Sequence, residues 1–441
     1  MTKKLTQEDQ DLLERAKAVL QQNDRGSYTV PANDLYPHQW LWDSCFIAIG
    51  LAHVDTNRAK QEIMHLLQAQ WSNGMIPNIV FNQSDTKDSA LWDSKVSPKA
   101  PVDQATSGIT QPPLIAEAVT RIGKQLEPTE RRSFYHAVYP KLIAYHEWLY
   151  RERDPHQQGL ITLVHPWESG MDNSPPWVEA MYANQIPWWI RLINWLPLDG
   201  LIDFVRNDTR HIDRHERIST LQALVYYHVL QRLKRKQYDS ARILLRSHFA
   251  IQDVAFNSIL VRANHLLRKI ANDIKAEIPE ELDNRMTKAS AALETLYDAT
   301  NQHYLSRQLV TGEFLKQASV ASLLPLYSDT LTTEHTDAIV QELSSKGYAT
   351  RYPIPTTPTT SPYFSRERYW QGPTWININW LLIDGLERTG HEKSAQELRE
   401  ATLHLVRKNG FAEYFDPHSG EPRGANNFSW TAALTIDLLS R

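Results

Sequence analysis

Two carboxylates in one short segment are the first residues whose types and spacing could do chemistry. The segment HPWESGMDNSP, residues 165–175, holds Glu168 and Asp172 beside an indole. Gly170 and Pro175 predict a specially shaped loop at this point and not the interior of a helix. The loop is therefore a candidate source of a catalytic acid.

A second acid lies far downstream in an aromatic turn. Glu413 stands in GFAEYFDP, residues 410–417, which follows a predicted helix end and precedes Phe428 and Trp430. Cleavage of a glycosidic bond requires one protonated carboxyl group for the leaving oxygen and one ionised carboxylate that activates water or attacks. Spacing alone leaves open whether the two acids face each other, and a loop cap or an ion-pair partner is the alternative for each.

The elements that must position these acids are predominantly helical. Thr6 and Asp9 predict a capping box that opens the first helix, and apolar residues at helical spacing predict about a dozen helices. Alternating strand patterns are scarce apart from a hairpin predicted around Tyr304 to Phe314. The later helical patterns fall near 220–235, 254–273, 280–299, 331–344, 374–388, 393–408 and 429–440.

The connections favour a closed ring of helices over a bundle or a solenoid. Long, aromatic and Pro-rich linkers alternate with short ones and lie at about 22–42, 73–110, 165–218 and 346–375. Long loops inside a compact domain are commonly functional, and a ring collects them at one mouth. We therefore predict an all-α fold, a closed ring of six helical hairpins, that forms a single domain.

Charge and cysteine usage exclude several classes of protein. With 47 Lys and Arg against 51 Asp and Glu, the chain lacks the positive excess that non-specific binding to nucleic acid requires. The one cysteine, Cys45, excludes an internal disulfide framework and a multi-cysteine zinc site. Neither a GxxxxGK[ST] phosphate loop nor an HExxH metal motif occurs, so we expect no metal and no cofactor.

The amino terminus and the aromatic content complete this profile. The first residues carry charges throughout, and no apolar run reaches membrane-spanning length, so we expect a cytoplasmic protein with no membrane partner. The 14 tryptophans indicate aromatic platforms in a binding site or, equally well, indoles that fill helix interfaces. A homo-oligomer is left open.

Three strings in the chain resemble glycoside hydrolase family 63. They are HPWESGMDNSP, YPHQWLWDS at residues 36–44, and YWQGPTWIN at residues 369–377. Within that family the chain resembles the compact bacterial hydrolases of mannosylglycerate and glucosylglycerate, in the expected order from about residue 28 to residue 435. The resemblance implies an (α/α)6 barrel, a single catalytic domain over residues 1–441, with a cap of inserted loops at approximately 73–110 and 173–218. It also implies hydrolysis of a small α-glucosyl or α-mannosyl compound with inversion and without a cofactor, the best match being the glycerate glycosides, which give hexose and glycerate.

The resemblance also assigns the two acids. Asp172 matches the general acid of the family, and Glu413 matches the general base that activates water. An inverting enzyme leaves room for a water between the base and the anomeric carbon, and Asp172 would need a pKa raised by burial near aromatic surface. Glu168 competes with Asp172 for the role of acid and is placed otherwise among the substrate-binding residues.

Sugar-binding residues follow from the same resemblance. Asp43 is implied as a ligand of sugar hydroxyls, although its position before an apolar run also fits a helix N-cap. Gln111 is implied to line the same pocket, although by itself it would be a residue at a helix N-terminus. Aromatic walls are implied at Tyr36, Trp40, Trp42, Tyr369, Trp370 and Trp375, each of which would otherwise be assigned to core packing.

The aglycone is predicted less sharply. A glycerate carboxylate calls for an arginine fork or a similar set of donors, and Arg217 lies where the family tends to carry Arg-Pro-Ser/Thr. Here Ile218 replaces that proline, and Gln371 stands where the family usually has arginine in YWRGP; Gln371 is kept as a substrate-binding residue. Arg206, Arg210 and Arg214 share a helical spacing with Arg217 that a solvated helix face explains equally well.

Other functions stay open at this point. The first alternative is an α-glucosidase acting on neutral disaccharides such as trehalose or kojibiose. A sugar epimerase or isomerase on the same helical ring would use histidines as acid and base and would need no leaving-group acid. A third is a carbohydrate-binding protein that has lost catalysis, against which the presence of both acids argues.

Overall fold

The computed structural model of the chain describes residues 5–82, 86–184, 190, 216–247 and 249–441. The α-helices are α1 Gln7–Gln22, α2 Leu41–Leu51, α3 Thr56–Gln68, α4 Thr86–Trp92, α5 Ile115–Lys124, α6 Pro128–Glu152, α7 Pro175–Asn184, α8 Thr220–Arg235, α9 Ser240–Leu244, α10 Val254–Ile274, α11 Glu280–Glu294, α12 Thr333–Leu343, α13 Ile376–Arg388, α14 Glu392–Asn409 and α15 Ser429–Ser440. Three further segments, Ser94–Val96, Pro166–Ser169 and Val320–Ser328, are 3₁₀-helical.

Short strands connect the loops in antiparallel pairs. They are β1 Gln39–Trp40, β2 Ile79–Val80, β3 Thr162–Leu163, β4 Ile251–Gln252, β5 Tyr297–Asp298, β6 His303–Tyr304, β7 Arg307–Gln308, β8 Tyr414–Phe415 and β9 Pro422–Arg423. The strand pairs are β1 with β2, β3 with β4, β4 with β7, β5 with β6, and β8 with β9. They tie together segments that carry functional side chains.

The helices form a closed double ring, which confirms the predicted (α/α)6 barrel. Going around the inner ring, α2, α5, α10, the 3₁₀ segment Val320–Ser328, α13 and α15 each contact the next, and α15 returns to α2. Outside them lie α1, α3, α6, α11, α12 and α14, each packed on inner-ring elements. One of the inner elements is thus 3₁₀-helical and contains Pro325, where the sequence pattern gives no strong α-helical signal.

Burial distinguishes the two rings. All residues of α2 are buried, and its side chains are apolar nearly all round, as expected of a helix enclosed by others. The outer α1 instead has one apolar stripe and begins with the predicted capping box of Thr6 and Asp9. At the inner contact of α2 with α15, a Cβ on Gly50 would overlap the backbone of Ala433, so only glycine permits this close approach.

Most predicted helix boundaries hold to within two residues, and two predictions in one region need correction. The helix predicted over 280–299 ends at Glu294 because the chain then enters β5. Tyr304 does not pair within the predicted hairpin but with Tyr297. The turn itself is confirmed only from Arg307 to Phe314, which form an isolated bridge.

The two predicted cap insertions are described to different extents. Segment 73–110 contributes β2, α4 and the 3₁₀ turn Ser94–Val96. Of segment 173–218, the structure describes α7 and residues 216–218, while 185–189 and 191–215 lie outside the described residues. Among the described helices, none combines the length and the apolar composition needed to cross a bilayer.

Candidate active site

A single cavity of about 460 Å³ brings together most of the residues predicted for the site. It contains the side chains of Asp43, Asp172 and Glu413, the three carboxyl groups expected to act on a sugar. A cavity of this size suits a small ligand. The other predicted residues in its lining are Tyr36, Trp40, Trp42, Gln111, Arg217, Tyr369 and Trp370.

The loop that carries Asp172 begins in a short 3₁₀ turn, Pro166–Ser169. The side chain of His165 caps this turn by accepting a hydrogen bond from the Trp167 N–H, and its other ring nitrogen lies 3.1 Å from the Tyr226 carbonyl. Burial lowers the pKa of His165 to about 4, so the ring is neutral and joins the loop to α8. Gly170 then ends the turn with φ of +71°, a conformation that favours glycine.

Neighbouring segments hold the rest of this loop. The Tyr226 hydroxyl donates to the backbone carbonyl of Asp172. The Asn173 side-chain oxygen accepts from the backbone N–H of Trp370 at 2.9 Å, and the Gln371 side-chain amide donates to the backbone carbonyl of Asn173 at 3.0 Å. The carboxyl group of Asp172 is thereby presented to the cavity from a loop that is fixed on both sides.

Asp172 has the electrostatics of a proton donor. Burial raises the pKa of its carboxyl group to about 7, with the negative charge of Glu413 adding to the rise and Arg217 opposing it. At neutral pH a large fraction of this group therefore carries a proton. A proton held near working pH is what a general acid requires.

Glu413 is bound very differently from Asp172. Its side chain is 1% exposed and directly precedes β8. Oε1 accepts from the Tyr36 hydroxyl at 2.8 Å and more weakly from Arg217 Nη1 at 3.4 Å. Oε2 accepts from Arg217 Nη2 and from the Ala425 N–H, both at 2.9 Å. This carboxylate is paired with a buried cation, unlike that of Asp172.

Asp43 lies in the first turn of α2 and faces the same cavity. Burial raises the pKa of its carboxyl group well above the ordinary value, and the negative charges of Glu413 and Asp172 add to the rise. No side-chain cap bond forms at the start of α2, so the structure does not support an N-cap role for this residue. A protonated carboxyl group can both donate to and accept from a hydroxyl.

Several polar atoms in the cavity wall have no hydrogen-bond partner within the described part of the chain. They are Nε1 of Trp40, Trp370 and Trp430 and Oε1 of Gln111. Buried polar atoms are normally satisfied, and the hydroxyl groups of a sugar could supply the missing partners. The indole faces beside them offer flat apolar surface, so the wall combines both features that carbohydrate binding uses.

Three residues predicted to bind substrate lie outside the lining of this cavity. The fully buried Glu168 carboxylate is engaged by both Nη atoms of Arg153, at 2.8 and 3.0 Å, and accepts from the Val164 N–H. Asp172, and not Glu168, is the carboxyl group of this segment that lines the cavity. Trp375 stacks behind Trp370 with ring centroids 3.8 Å apart, supporting the wall from its far side.

Gln371 is the third of these residues. It is buried, and its amide holds the Asn173 carbonyl behind the cavity wall. It therefore anchors the loop of Asp172. Gln371, which stands in place of the arginine expected from the resemblance, is thus a residue that holds this loop.

Arg217 occupies a more central position than the sequence indicated. It pairs with Glu413, donates to the Tyr36 hydroxyl at 2.8 Å and lies 4.7 Å from the centre of the Tyr369 ring. The predicted companions Arg206, Arg210 and Arg214 lie outside the described residues.

Several aromatic residues of the wall are not among those predicted from the sequence to bind substrate. Trp92 comes from α4, Trp167 from the 3₁₀ turn, and Trp430 from the first turn of α15. The ring of Trp430 packs edge-on against Trp42. The high indole content was the one available signal for them, but it does not say which indoles face a cavity and which fill the core.

Comparisons with known proteins agree with this arrangement. The profile of the mannosylglycerate hydrolase MGH1-like glycoside hydrolase domain matches residues 36–431. A mannosylglycerate hydrolase from Thermus thermophilus is 39% identical over 96% of this chain and 99% of its own length. A glucosylglycerate hydrolase from Mycolicibacterium hassiacum is 34% identical, with 97% of each chain covered.

Solved structures agree as well. The family 63 mannosylglycerate hydrolase from Thermus thermophilus, in complex with Tris and D-glycerate, superposes with a TM-score of 0.87 at 37% identity, covering 97% of this chain and 99% of the other. Neutral trehalase from Saccharomyces cerevisiae, at 14% identity and a TM-score of 0.57, shares the fold alone. The similarity spans the full barrel and its site, so this chain is a glycoside hydrolase that belongs to the mannosylglycerate hydrolase MGH1-like family.

Proposed function

We propose that this enzyme hydrolyses an α-linked mannosyl or glucosyl glycerate with inversion, giving hexose and glycerate. The observation that carries the proposal is the contrast between two carboxyl groups in one aromatic cavity: the pKa of Asp172 is raised to about 7, whereas Glu413 is paired with Arg217. Relatives that cover nearly the whole chain are named for these glycosides.

In this proposal the two acids have separate tasks. Asp172 donates its proton to the glycosidic oxygen as the bond to the anomeric carbon breaks. Glu413 accepts a proton from a water that attacks the anomeric carbon from the opposite face of the ring. Asp43, Gln111 and the surrounding indoles bind the hydroxyl groups and the apolar face of the sugar.

The aglycone side of the proposal rests on charge. Arg217 is the one Arg or Lys side chain among the described residues of the cavity lining. A guanidinium fork is suited to a carboxylate, and a structural relative is seen in complex with D-glycerate. These facts favour a carboxylate-bearing aglycone over a neutral sugar.

Proton NMR of the reaction tests both parts of the proposal. The purified enzyme is incubated separately with α-mannosylglycerate, α-glucosylglycerate, trehalose and kojibiose, and the anomeric signal of the released sugar is followed. We expect the β-anomer to appear first, and only from one or both glycerate compounds. Initial release of the α-anomer would contradict inversion, and cleavage of the neutral disaccharides alone would contradict the charged aglycone.

A pair of isosteric variants tests the roles of the acids. Asp172→Asn and Glu413→Gln should each lower kcat on the glycerate glycoside by about 10²–10⁴-fold, the usual contribution of general acid–base catalysis. On the matching α-glycosyl fluoride, whose leaving group needs no proton, Asp172→Asn should lose far less activity than Glu413→Gln. Equal losses of the two variants on the fluoride would contradict the assignment, and circular dichroism checks that both remain folded.

We also propose that the enzyme works in the cytoplasm. The buried Cys45, the one cysteine of the chain, fits a reducing compartment. Cell fractionation with detection of the native protein tests this, and recovery outside the cytoplasmic fraction would contradict it.

A further inference from the structure

The carboxylate of Glu413 is saturated with hydrogen-bond donors. A carboxylate offers about four acceptor sites, and four donors approach this one: the Tyr36 hydroxyl, Nη1 and Nη2 of Arg217, and the Ala425 N–H. A water that is to lose its proton to Glu413 must itself donate to one of these oxygens. In the observed state the proposed base therefore has no acceptor site left for its water.

Of the donors around Glu413, Arg217 is the one most able to leave. The Ala425 N–H is backbone, and it is fixed further because the Glu413 N–H donates in return to the Ala425 carbonyl at 2.8 Å. The Tyr36 ring packs edge-on against Trp40 and Phe428. Arg217, by contrast, is a long side chain that holds Oε2 at 2.9 Å and Oε1 only through a long contact of 3.4 Å.

The guanidinium group of Arg217 also has one N–H donor that is not used within the described residues. Its Nε is buried and has no hydrogen-bond partner within the described residues. The adjacent backbone is anchored, because the Tyr369 N–H and the Tyr414 hydroxyl both donate to the Glu216 carbonyl. The guanidinium group lies 5.7 Å from the centre of the Tyr36 ring and 4.7 Å from that of the Tyr369 ring, and it can change partner while the backbone stays in place.

We propose that the carboxylate of the aglycone draws Arg217 away from Glu413 and thereby frees an oxygen of Glu413 for the attacking water. This rests on the proposed function, because it requires a substrate with a carboxylate beside the bond to be cleaved. The two carboxylates compete for one guanidinium, so binding of the correct aglycone completes the base.

The chemical step then balances without any further reactant. The freed Glu413 oxygen takes one proton from water, the water oxygen bonds to the anomeric carbon, and the bond to the glycerate oxygen breaks. Asp172 gives its proton to that oxygen. The aglycone carboxylate consequently acts on kcat as well as on KM, so it determines specificity through turnover.

The direct test separates the carboxylate from the bond that is cleaved. Wild-type enzyme hydrolyses the α-glycosyl fluoride of its preferred sugar, with free D-glycerate or, as the neutral control, glycerol added. A structural relative is solved in complex with Tris and D-glycerate. We expect D-glycerate to raise kcat on the fluoride by about tenfold, the equivalent of one net hydrogen bond, and glycerol to have no effect. No change with glycerate, or inhibition by it, would overturn the proposal.

A variant without the guanidinium group provides a second test of the proposal. In Arg217→Gln, added glycerate should no longer change the rate on the fluoride, measured against the variant's own rate without glycerate. The same variant should lose kcat on the glycerate glycoside. If Arg217→Gln instead loses kcat equally on fluoride and glycoside, Arg217 merely positions Glu413, and the proposal is wrong.

Failure of the proposed function is distinguishable from failure of this inference. If wild type releases no sugar from either glycerate glycoside, the proposed function fails, whatever the fluoride shows. If it hydrolyses a glycerate glycoside but its fluoride reaction ignores glycerate, the function stands and the exchange of Arg217 fails.

Discussion

Three of the carboxyl groups that line the cavity, those of Asp43, Asp172 and Glu413, differ in their electrostatic surroundings. The pKa of Asp43 and that of Asp172 are both raised, first by burial and then by the charge of Glu413. Glu413 holds the contacts to Arg217. Environment therefore separates groups of the same chemical type into two with a raised pKa and one paired carboxylate, the contrast that the proposed acid and base require.

The raised pKa of Asp172 predicts the alkaline side of the pH–rate profile. Below pH 7 the group is mainly protonated and can act as the acid; as pH rises through about 7, the proton is lost and kcat on the glycerate glycoside should fall. Initial rates at saturating substrate between pH 5 and 9 measure this limb. The matching glycosyl fluoride is the control, since its leaving group needs no proton, and a limb of equal depth on both substrates would show that another group titrates.

At the scale of elements, the catalytic groups depend on how loops are fastened to the ring. Beside the β8–β9 pair, the Glu413 N–H donates to the Ala425 carbonyl, and the Ala425 N–H donates to the Glu413 side chain. Gly424, which directly precedes Ala425, has a φ of +69°. A Cβ at Gly424 would overlap Oε2 of Glu413 and the ring of Tyr414, so a glycine is needed both for conformation and for space.

Gly424→Ala should therefore displace the proposed base with little effect on the fold. We expect kcat to fall about 100-fold, as small misplacements of catalytic groups do, with a loss of unfolding free energy of about 1–2 kcal/mol from the left-handed backbone. The matched control is Gly312→Ala, which has φ of +71° but no atom within 4 Å of the added methyl group. Activity assays and thermal unfolding of both variants test this, and equal activity in the two would refute the overlap.

Local signals explain which parts of the fold could be predicted. Helix α8 runs over the predicted 220–235 because a capping box of Ser219 and Gln222 marks its start. The role of Glu168 could not be predicted, because its partner Arg153 lies just beyond α6 and only tertiary packing brings the two together. Trp370 and Trp375 share one motif, so the sequence could not show that only Trp370 lines the cavity. Trp375 directly precedes α13 and lies outside the lining.

At the scale of the whole molecule, charged side chains link the helices of the inner ring. Arg121 on α5 pairs with Glu117 of its own helix and with Asp384 on α13. The Trp380 ring lies between Arg121 and Arg441, each 5.1 Å from its centre, and its N–H donates to Asp437 on α15. The network joins inner-ring elements that are remote in sequence, so it contributes to closing the barrel.

The charges of this network determine how the barrel responds to acid. Burial by itself would raise the pKa of Asp384, but Arg121, Arg388 and Arg441 outweigh it, and the pKa lies below its ordinary value of 3.8. The pKa of Asp437 is likewise lowered, since burial is outweighed by Arg441, His53 and Arg121. Groups with lowered pKa stabilise the fold fully above the ordinary value, and the contribution is lost as pH falls through the lowered one.

Arg121→Met should consequently destabilise the barrel at neutral pH and less so in acid. At pH 7 it leaves Glu117 and Asp384 with fewer cations, which should cost about 3–5 kcal/mol of unfolding free energy. Without Arg121 these carboxyl groups take up protons at higher pH than they do in wild type, so the difference from wild type should shrink as pH falls. The control is Lys393→Met, which removes the ion pair of Lys393 with Glu397. Because the two side chains are 90% and 67% exposed, this substitution should change stability little. Urea unfolding followed by circular dichroism at pH 7 and pH 3.5 measures the unfolding free energy of both variants. If Arg121→Met loses the same unfolding free energy at both pH values, the arginine contributes through packing on Trp380 and not through its charge.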